Sequence, residues 1–167
     1  MTTYYGPGAS GSGVAEIIGY QNGVNYPDFI GVETFLTKVV AVTFAVTGKL
    51  CIGKEGPLAH IGAVIGVMSC YIPGLGLEFL QNDEKKRQFV AAGASAGVSV
   101  AFGAPIGGAM FAYEMSKPNT FWRFSMIWKV FLSCSLANFW LSLLPAIFAG
   151  NLSAQNSSSL KFGSING

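Results

Sequence analysis

The chain has 167 residues, 51% hydrophobic and only 11% charged, with a formal net charge of +2 and a mean hydropathy of +0.47. Soluble domains carry about 25% charged residues, so this composition excludes an ordinary soluble domain and places the chain in the membrane class. No dense basic tract is present, which excludes a nucleic-acid partner.

The charges are clustered. None occurs over residues 56–77, 88–113 or 130–160. The first two gaps can each hold a helix of about 17 to 25 residues, the length a bilayer requires, and the third leaves room for a loop besides. The expected class is an all-α polytopic membrane protein. Cys51, Cys70 and Cys134 are odd in number and lie in apolar runs, which predicts buried free thiols rather than a disulfide framework. Nothing at Met1-Thr-Thr-Tyr-Tyr resembles a signal peptide.

In chain order, Gly6–Gly13 ("GPGASGSG") reads as a glycine/serine loop without regular structure. Val14 to Tyr20 fits a short helix, and Gln21-Asn22-Gly23 to Pro27-Asp28 a turn. An apolar helix interrupted by Glu33 and Lys38 is expected from Phe29 to Gly48, then "GKEGPLAH" over Gly53–His60. Another apolar helix runs from Pro57 to Ile72, stopped by Pro73-Gly74. Asp83-Glu84-Lys85-Lys86-Arg87 is mixed in sign and reads as a solvated loop or helix start. A helix over 84–101 ends at Gly103-Ala104-Pro105, the next reaches about Met115, and a long span runs from Trp122 to Phe148. Residues 151–167 read as a polar loop. In it Asn151 and Asn156 match the glycosylation pattern, a hint that the loop is luminal or extracellular.

Small residues recur four apart at Gly62/Gly66, Gly93/Gly97 and Gly103/Gly107. Such pairs let helices approach closely in a membrane, although a glycine-rich chain also produces them by chance. Helices broken by Gly-Pro are tolerated at membrane depth only where they are buried in protein or line a polar pathway.

Two nucleotide-site lookalikes fail. Gly48–Glu55 matches a P-loop until Glu55 takes the place of the Ser/Thr that would hold magnesium. Gly6–Gly11 satisfies the dinucleotide pattern but follows no strand. An acid/base pair of Glu55 and His60, at i and i+5, would sit about 140° apart on a helix. No second carboxylate or metal set joins them, so neither enzymatic activity nor a metal or cofactor is expected.

The informative pattern is a pair of glycine-rich breaks, "GSGVAE" at Gly11–Glu16 and "GKEGP" at Gly53–Pro57, each preceding a helix. Free N–H groups and the positive dipole end at a helix start attract an anion without a full charge. Partial charges can bind an ion and still release it, which suits transport. The Ser12 hydroxyl adds a donor, and Pro57 just inside the second helix has no N–H to lose. Glu55 then stands where an anion wants to be. Ionised it occupies that place, and protonated it vacates it. The plainer reading is an N-terminal glutamate that stabilises its helix by a few tenths to about 1 kcal/mol.

Taken in order, "GSG…E", "GKEGP" with His60, "AAGASAGVSVAFGAPIGG" and "FAYE" resemble the CLC family of chloride channels and chloride/proton exchangers over nearly the whole chain, with the endolysosomal-type members most similar. The resemblance implies that residues 1–150 are a partial CLC transmembrane domain of about five to six helices, part of the first of two inverted repeats. The second half-pore and any C-terminal regulatory domains are expected to be missing, as in a fragment or truncated gene product. Ser12 would be the anion-coordinating serine, with Gly11 and Gly56 supplying backbone amides, Glu55 the gating glutamate, and Lys54 a basic position tuning the field. His60 is read as packed and hydrogen-bonded rather than as a ligand.

Two departures stand out. Ala15 replaces the usual proline of the first motif. Glu114 matches the first of the two consecutive glutamates of exchangers, while the second, proton-carrying position holds Met115. The resemblance thus implies a chloride-conducting homodimer in the bilayer, more channel-like than strictly proton-coupled. The alternatives are a chloride/proton antiporter and a non-transporting assembly protein. The membrane would be endolysosomal or vesicular, or the plasma membrane.

Overall fold

The computed structural model describes residues 6–26, 28–71, 82–116 and 124–148. Six α-helices lie among them: α1 Val14–Gln21, α2 Val32–Thr47, α3 Glu55–Ser69, α4 Asp83–Phe102, α5 Pro105–Ser116 and α6 Met126–Phe148. The described residues contain no strand, and the all-α expectation holds. The stop at Pro73-Gly74, the start at Trp122 and the tail over 151–167 with Asn151 and Asn156 lie outside the described residues.

The differences from expectation are local. Gly6–Gly13 is not wholly irregular, because Pro7–Ala9 forms a 3-10 turn. Pro7 presets its φ, the Ala9 N–H donates to the Gly6 carbonyl at 2.9 Å, and the Ser10 hydroxyl donates to Pro7 O at 2.9 Å. Helix α2 is continuous through Glu33 and Lys38, since both are adequate helix formers and only their environment differs. Glu33 is exposed and Lys38 buried. Helix α3 starts two residues before Pro57, at Glu55. Asp83 to Arg87 is the first turn of α4, and Arg87 is buried rather than solvated. Of the cysteines, Cys70 and Cys134 are buried but Cys51 is exposed, and all three are free.

The spine is the α3–α4 pair. Gly62, Gly66, Gly93 and Gly97 bring the two backbones into direct contact. A methyl group on Gly62 would strike the Gly93 carbonyl, and one on Gly93 the Gly62 carbonyl. On Gly97 it would lie 2.9 Å from the Leu58 carbonyl carbon, and on Gly66 3.1 Å from that of Phe89. Real Cβ atoms do not approach so closely, so four side chains are excluded along one crossing. Dispersion and Cα–H···O contacts between the backbones replace them.

The third spaced pair does something else. Gly103 takes φ +65° and ends α4 in the left-handed conformation. The Ala104 N–H then donates to Ser99 O at 3.1 Å, so α5 can begin at Pro105 with its φ preset. Close packing of α5 falls to Gly108, where a Cβ would lie 2.6 Å from Ser95 O and 3.1 Å from Cys134 Sγ.

The main core joins Ile17 and Tyr20 of α1 and Phe29 to Ala59, Ala63 and Val67 of α3 and to Val90, Ala91 and Ala94 of α4. A smaller cluster of Ala109, Ala112, Val130 and Cys134 fixes α5 on α6. Outside these contacts the helices are apolar and uncovered: Phe44 is 74% exposed, Trp128 71% and Phe148 86%. Within α6, Met126–Pro145 is long and apolar enough to cross a membrane. Helix α6 is the one helix among the described residues that is; α1 and α5, at eight and twelve residues, span only about 12 and 18 Å.

The glycine crossing predicts that Gly93→Ala destabilises the detergent-solubilised protein by about 1 to 3 kcal/mol through overpacking. Gly107→Ala, whose Cβ would meet only Ala104 Cβ at 3.5 Å, should be neutral or slightly stabilising. Thermal unfolding of the two variants checks both.

Candidate anion site at the starts of α1 and α3

Helix α1 is preceded by Gly11 at φ +73° and Gly13 at φ +86°. Gly13 is its N-cap and supplies no side chain, so no side-chain hydrogen bond closes the helix start. The first turn's hydrogen bond runs from the Ile17 N–H to Gly13 O at 3.1 Å. The N–H groups of Val14, Ala15 and Glu16 are left without an intrahelical acceptor. Ala15 in place of proline therefore keeps one more donor at this start.

Helix α3 repeats the arrangement. Its N-cap, Lys54, makes no capping bond, and the first helical bond is Leu58 N–H to Lys54 O at 3.0 Å. Glu55 and Gly56 keep open N–H groups, and Pro57 has none.

The two starts meet. The Ser12 hydroxyl lies directly on the Cα of Gly56, where a Cβ would collide with Oγ and come within 3.0 Å of the Ser12 Cβ. Only glycine at 56 allows this approach. Ser12 and Gly56 are thus brought into contact, with Gly11 and Glu55 next to them in the chain. The Glu55 carboxylate folds back against Gly53, where one of its oxygens fills the space a side chain would need. Lys54 stands exposed at the cap. Met115 is elsewhere, 6% exposed in the main core, with Glu114 exposed beside it.

Sequence reasoning missed the charge beneath the site. Lys38 of α2 is 2% exposed and His60 of α3 is 1% exposed, with Nζ 2.7 Å from Nδ1. The other ring nitrogen, Nε2, is 3.0 Å from Phe29 O. A carbonyl can only accept, so Nε2 carries a proton and donates. Nδ1 then accepts from Lys38, whose amine is the stronger base of the two. Gly13 packs against the same side chain, where a Cβ would be 2.6 Å from the imidazole Cγ. The signal in the sequence was a lysine in the middle of an apolar helix, an expensive residue in a membrane unless it serves something.

The far end of α1 is also held by a cation. Arg87 of α4 donates to the carbonyl of Tyr20 and lies 5.0 Å over its ring. Gln21 Nε2 returns a 2.7 Å bond to Arg87 O. A positive group at the C-terminus complements the helix dipole and leaves the N-terminal end free to face Ser12.

This geometry defines a class: a helical membrane protein with two uncapped helix starts converging on a serine. The comparisons give the family. The sequence profile described as "Voltage gated chloride channel" matches residues 1–163. Chloride channel protein D of Dictyostelium discoideum is 38% identical over 153 residues, covering 87% of this chain and 15% of that protein. The H(+)/Cl(-) exchange transporter 7 of Mus musculus is 37% identical over 159 residues, covering 91% and 20%. Chloride channel protein A of Dictyostelium discoideum is 35% identical over 165 residues, covering 95% and 19%. The chain belongs to the voltage-gated chloride channel (CLC) family, and it spans about a fifth or less of the length of these relatives.

Both tight glycines can be weighed against each other. Gly13→Ala combines a left-handed φ with collision against His60 and should cost about 3 kcal/mol or more. Gly11→Ala, left-handed but with nothing within 4 Å of its Cβ, should cost only about 1 kcal/mol. Denaturation midpoints of the two variants check the order.

Proposed function

We propose that this chain forms part of a chloride pathway, binding the ion where the starts of α1 and α3 converge. The observation that carries the reading is the seat of Ser12 Oγ on Gly56, between two sets of unpaired backbone N–H groups and above a buried lysine. Gly11, Ser12 and Gly56 form the binding wall. The dipole ends attract the ion, and the Ser12 hydroxyl donates to it. Lys38 adds a full charge from below, screened by the protein so that the ion is attracted but not trapped. Lys54, exposed at the cap, raises the local anion concentration.

Glu55 is the gate. Its place at the first position of α3 lets the carboxylate swing from Gly53 to the anion position beside Ser12. Ionised, it competes with chloride for the same N–H groups. Protonated, or displaced by chloride, it leaves them open. Closing is therefore favoured by high pH and low chloride. Glu55→Ala should abolish pH-dependent closing of the full-length protein, with less than about a twofold difference in chloride current between pH 5 and pH 8. Retained closing in that variant would remove Glu55 from the gate.

Transport is proposed to be passive. Met115 holds the position where a second glutamate would pass protons, and a thioether cannot carry one. The Met115 side chain packs in the main core. With a pH gradient imposed across the membrane, the chloride reversal potential should stay where the chloride gradient alone puts it. The alternative is chloride/proton antiport, favoured by the relative named an exchange transporter; a reversal potential that follows the proton gradient would establish it instead. The complete protein is proposed to act as a homodimer, residues 104–149 contributing to the subunit contact.

A further inference from the structure

A buried lysine beneath an anion site raises a problem that the site itself does not answer. An ammonium removed from water needs hydrogen-bond acceptors, and the strongest acceptor, a carboxylate, would cancel its charge. Among the described residues Lys38 has no carboxylate within ion-pair distance, since the one ion pair found there joins Lys86 to Asp83. Its close polar partner is the imidazole of His60, at 2.7 Å.

The ring is itself immobilised. Nε2 is tied to Phe29 O at 3.0 Å, and the Phe29 ring stacks on the imidazole at 4.4 Å with the planes 15° apart. Gly13 packs against the Cγ–Nδ1 side of the imidazole. An imidazole fixed in this way presents one lone pair in one direction. Being neutral, it accepts one of the three hydrogen bonds the ammonium can donate without quenching its charge.

We infer that His60 is a positioning residue for the chloride site: it holds the Lys38 ammonium under the Gly11–Gly13 loop as a hydrogen-bonded but uncancelled positive charge. The inference rests on the anion-site reading above, and it assigns His60 no contact with the ion. A histidine meets the requirement better than either common substitute. Glutamate would satisfy the ammonium and neutralise it, whereas leucine would keep it charged and leave it unsatisfied. Burial works against the Lys38 charge, and the field of Glu16, in the first turn of α1, supports it from outside ion-pair distance.

The test separates charge from structure. Chloride binding to the purified full-length protein is measured by calorimetry for the wild type, His60→Gln, His60→Glu and the double variant Lys38→Met/His60→Leu, with thermal unfolding recorded alongside. Glutamine can accept from Lys38 with its carbonyl and donate to Phe29 O with its amide, so His60→Gln should bind chloride within about threefold of the wild type. His60→Glu keeps an acceptor for the ammonium but cancels the charge, and should bind at least tenfold more weakly while remaining folded. The double variant removes charge and partner together, a replacement that folds often tolerate, and should lose affinity by a similar factor. It decides the matter should His60→Glu not fold. Wild-type affinity in His60→Glu or in the double variant overturns the role of His60. A wild type that binds no chloride overturns the anion-site reading itself, and this inference with it.

Discussion

The contact on which this structure depends is the crossing of α3 and α4 at four glycines. In lipid, apolar side chains gain little by leaving the hydrocarbon for one another, so helices are held by close packing and by polar contacts. With no side chains at Gly62, Gly66, Gly93 and Gly97, the two backbones touch, which leaves no room for a Cβ at any of the four positions. Everything at the candidate site is referred to that pair. Helix α3 carries Glu55, Gly56 and His60, while α4 carries Arg87, which clamps the end of α1 and so aims its start at Gly56. Opposed motifs far apart in the chain thereby share one small volume.

A second constraint is electrostatic. The protein places its charges at different depths for different purposes. Lys54 and Glu33 stand exposed, where they cost little. Lys38 and Arg87 are buried, and their hydrogen-bond partners among the described residues are neutral groups: an imidazole for Lys38, main-chain carbonyls for Arg87. Neutral partners relieve the desolvation cost in part and preserve the field. At the proposed anion site, that distinction matters more than the number of positive charges. On the proposed reading, partial charges at the two helix starts would act over short range on a bound ion, and the lysine beneath on its approach.

Much of this was legible in the sequence because it was written in local grammar. The breaks at Gly11–Gly13 and Gly53–Pro57, the end of α4 at Gly103 and the start of α5 at Pro105 follow from the φ preferences of glycine and proline. The glycine pairs on α3 and α4 announced a close crossing by their spacing. What was not legible depends on which residues meet. Gly103/Gly107 has the same spacing, yet Gly103 serves as a helix cap, because its neighbour is a chain break and not a second helix. Cys51 sits in an apolar run but follows the exposed turn after α2. Arg87 in a mixed-charge cluster looked solvated, and only the nearness of the α1 terminus buries it. Lys38 looked like an interruption of a helix, and its acceptor stands twenty-two positions away in the chain.

Helix α2 carries one consequence further. Its only buried residues are Thr34 and Lys38, one turn apart, and the Thr34 hydroxyl donates to Asp28 O at 2.7 Å. Its apolar surface, with Leu36 57% and Phe44 74% exposed, matches hydrocarbon equally well in any rotation. Two polar side chains therefore fix both the angle and the depth at which α2 rests on the bundle. Sliding it by one residue would turn it by about 100° and carry an ammonium toward lipid. The helix is keyed like a lock wafer: an almost featureless rod whose orientation is read from two teeth.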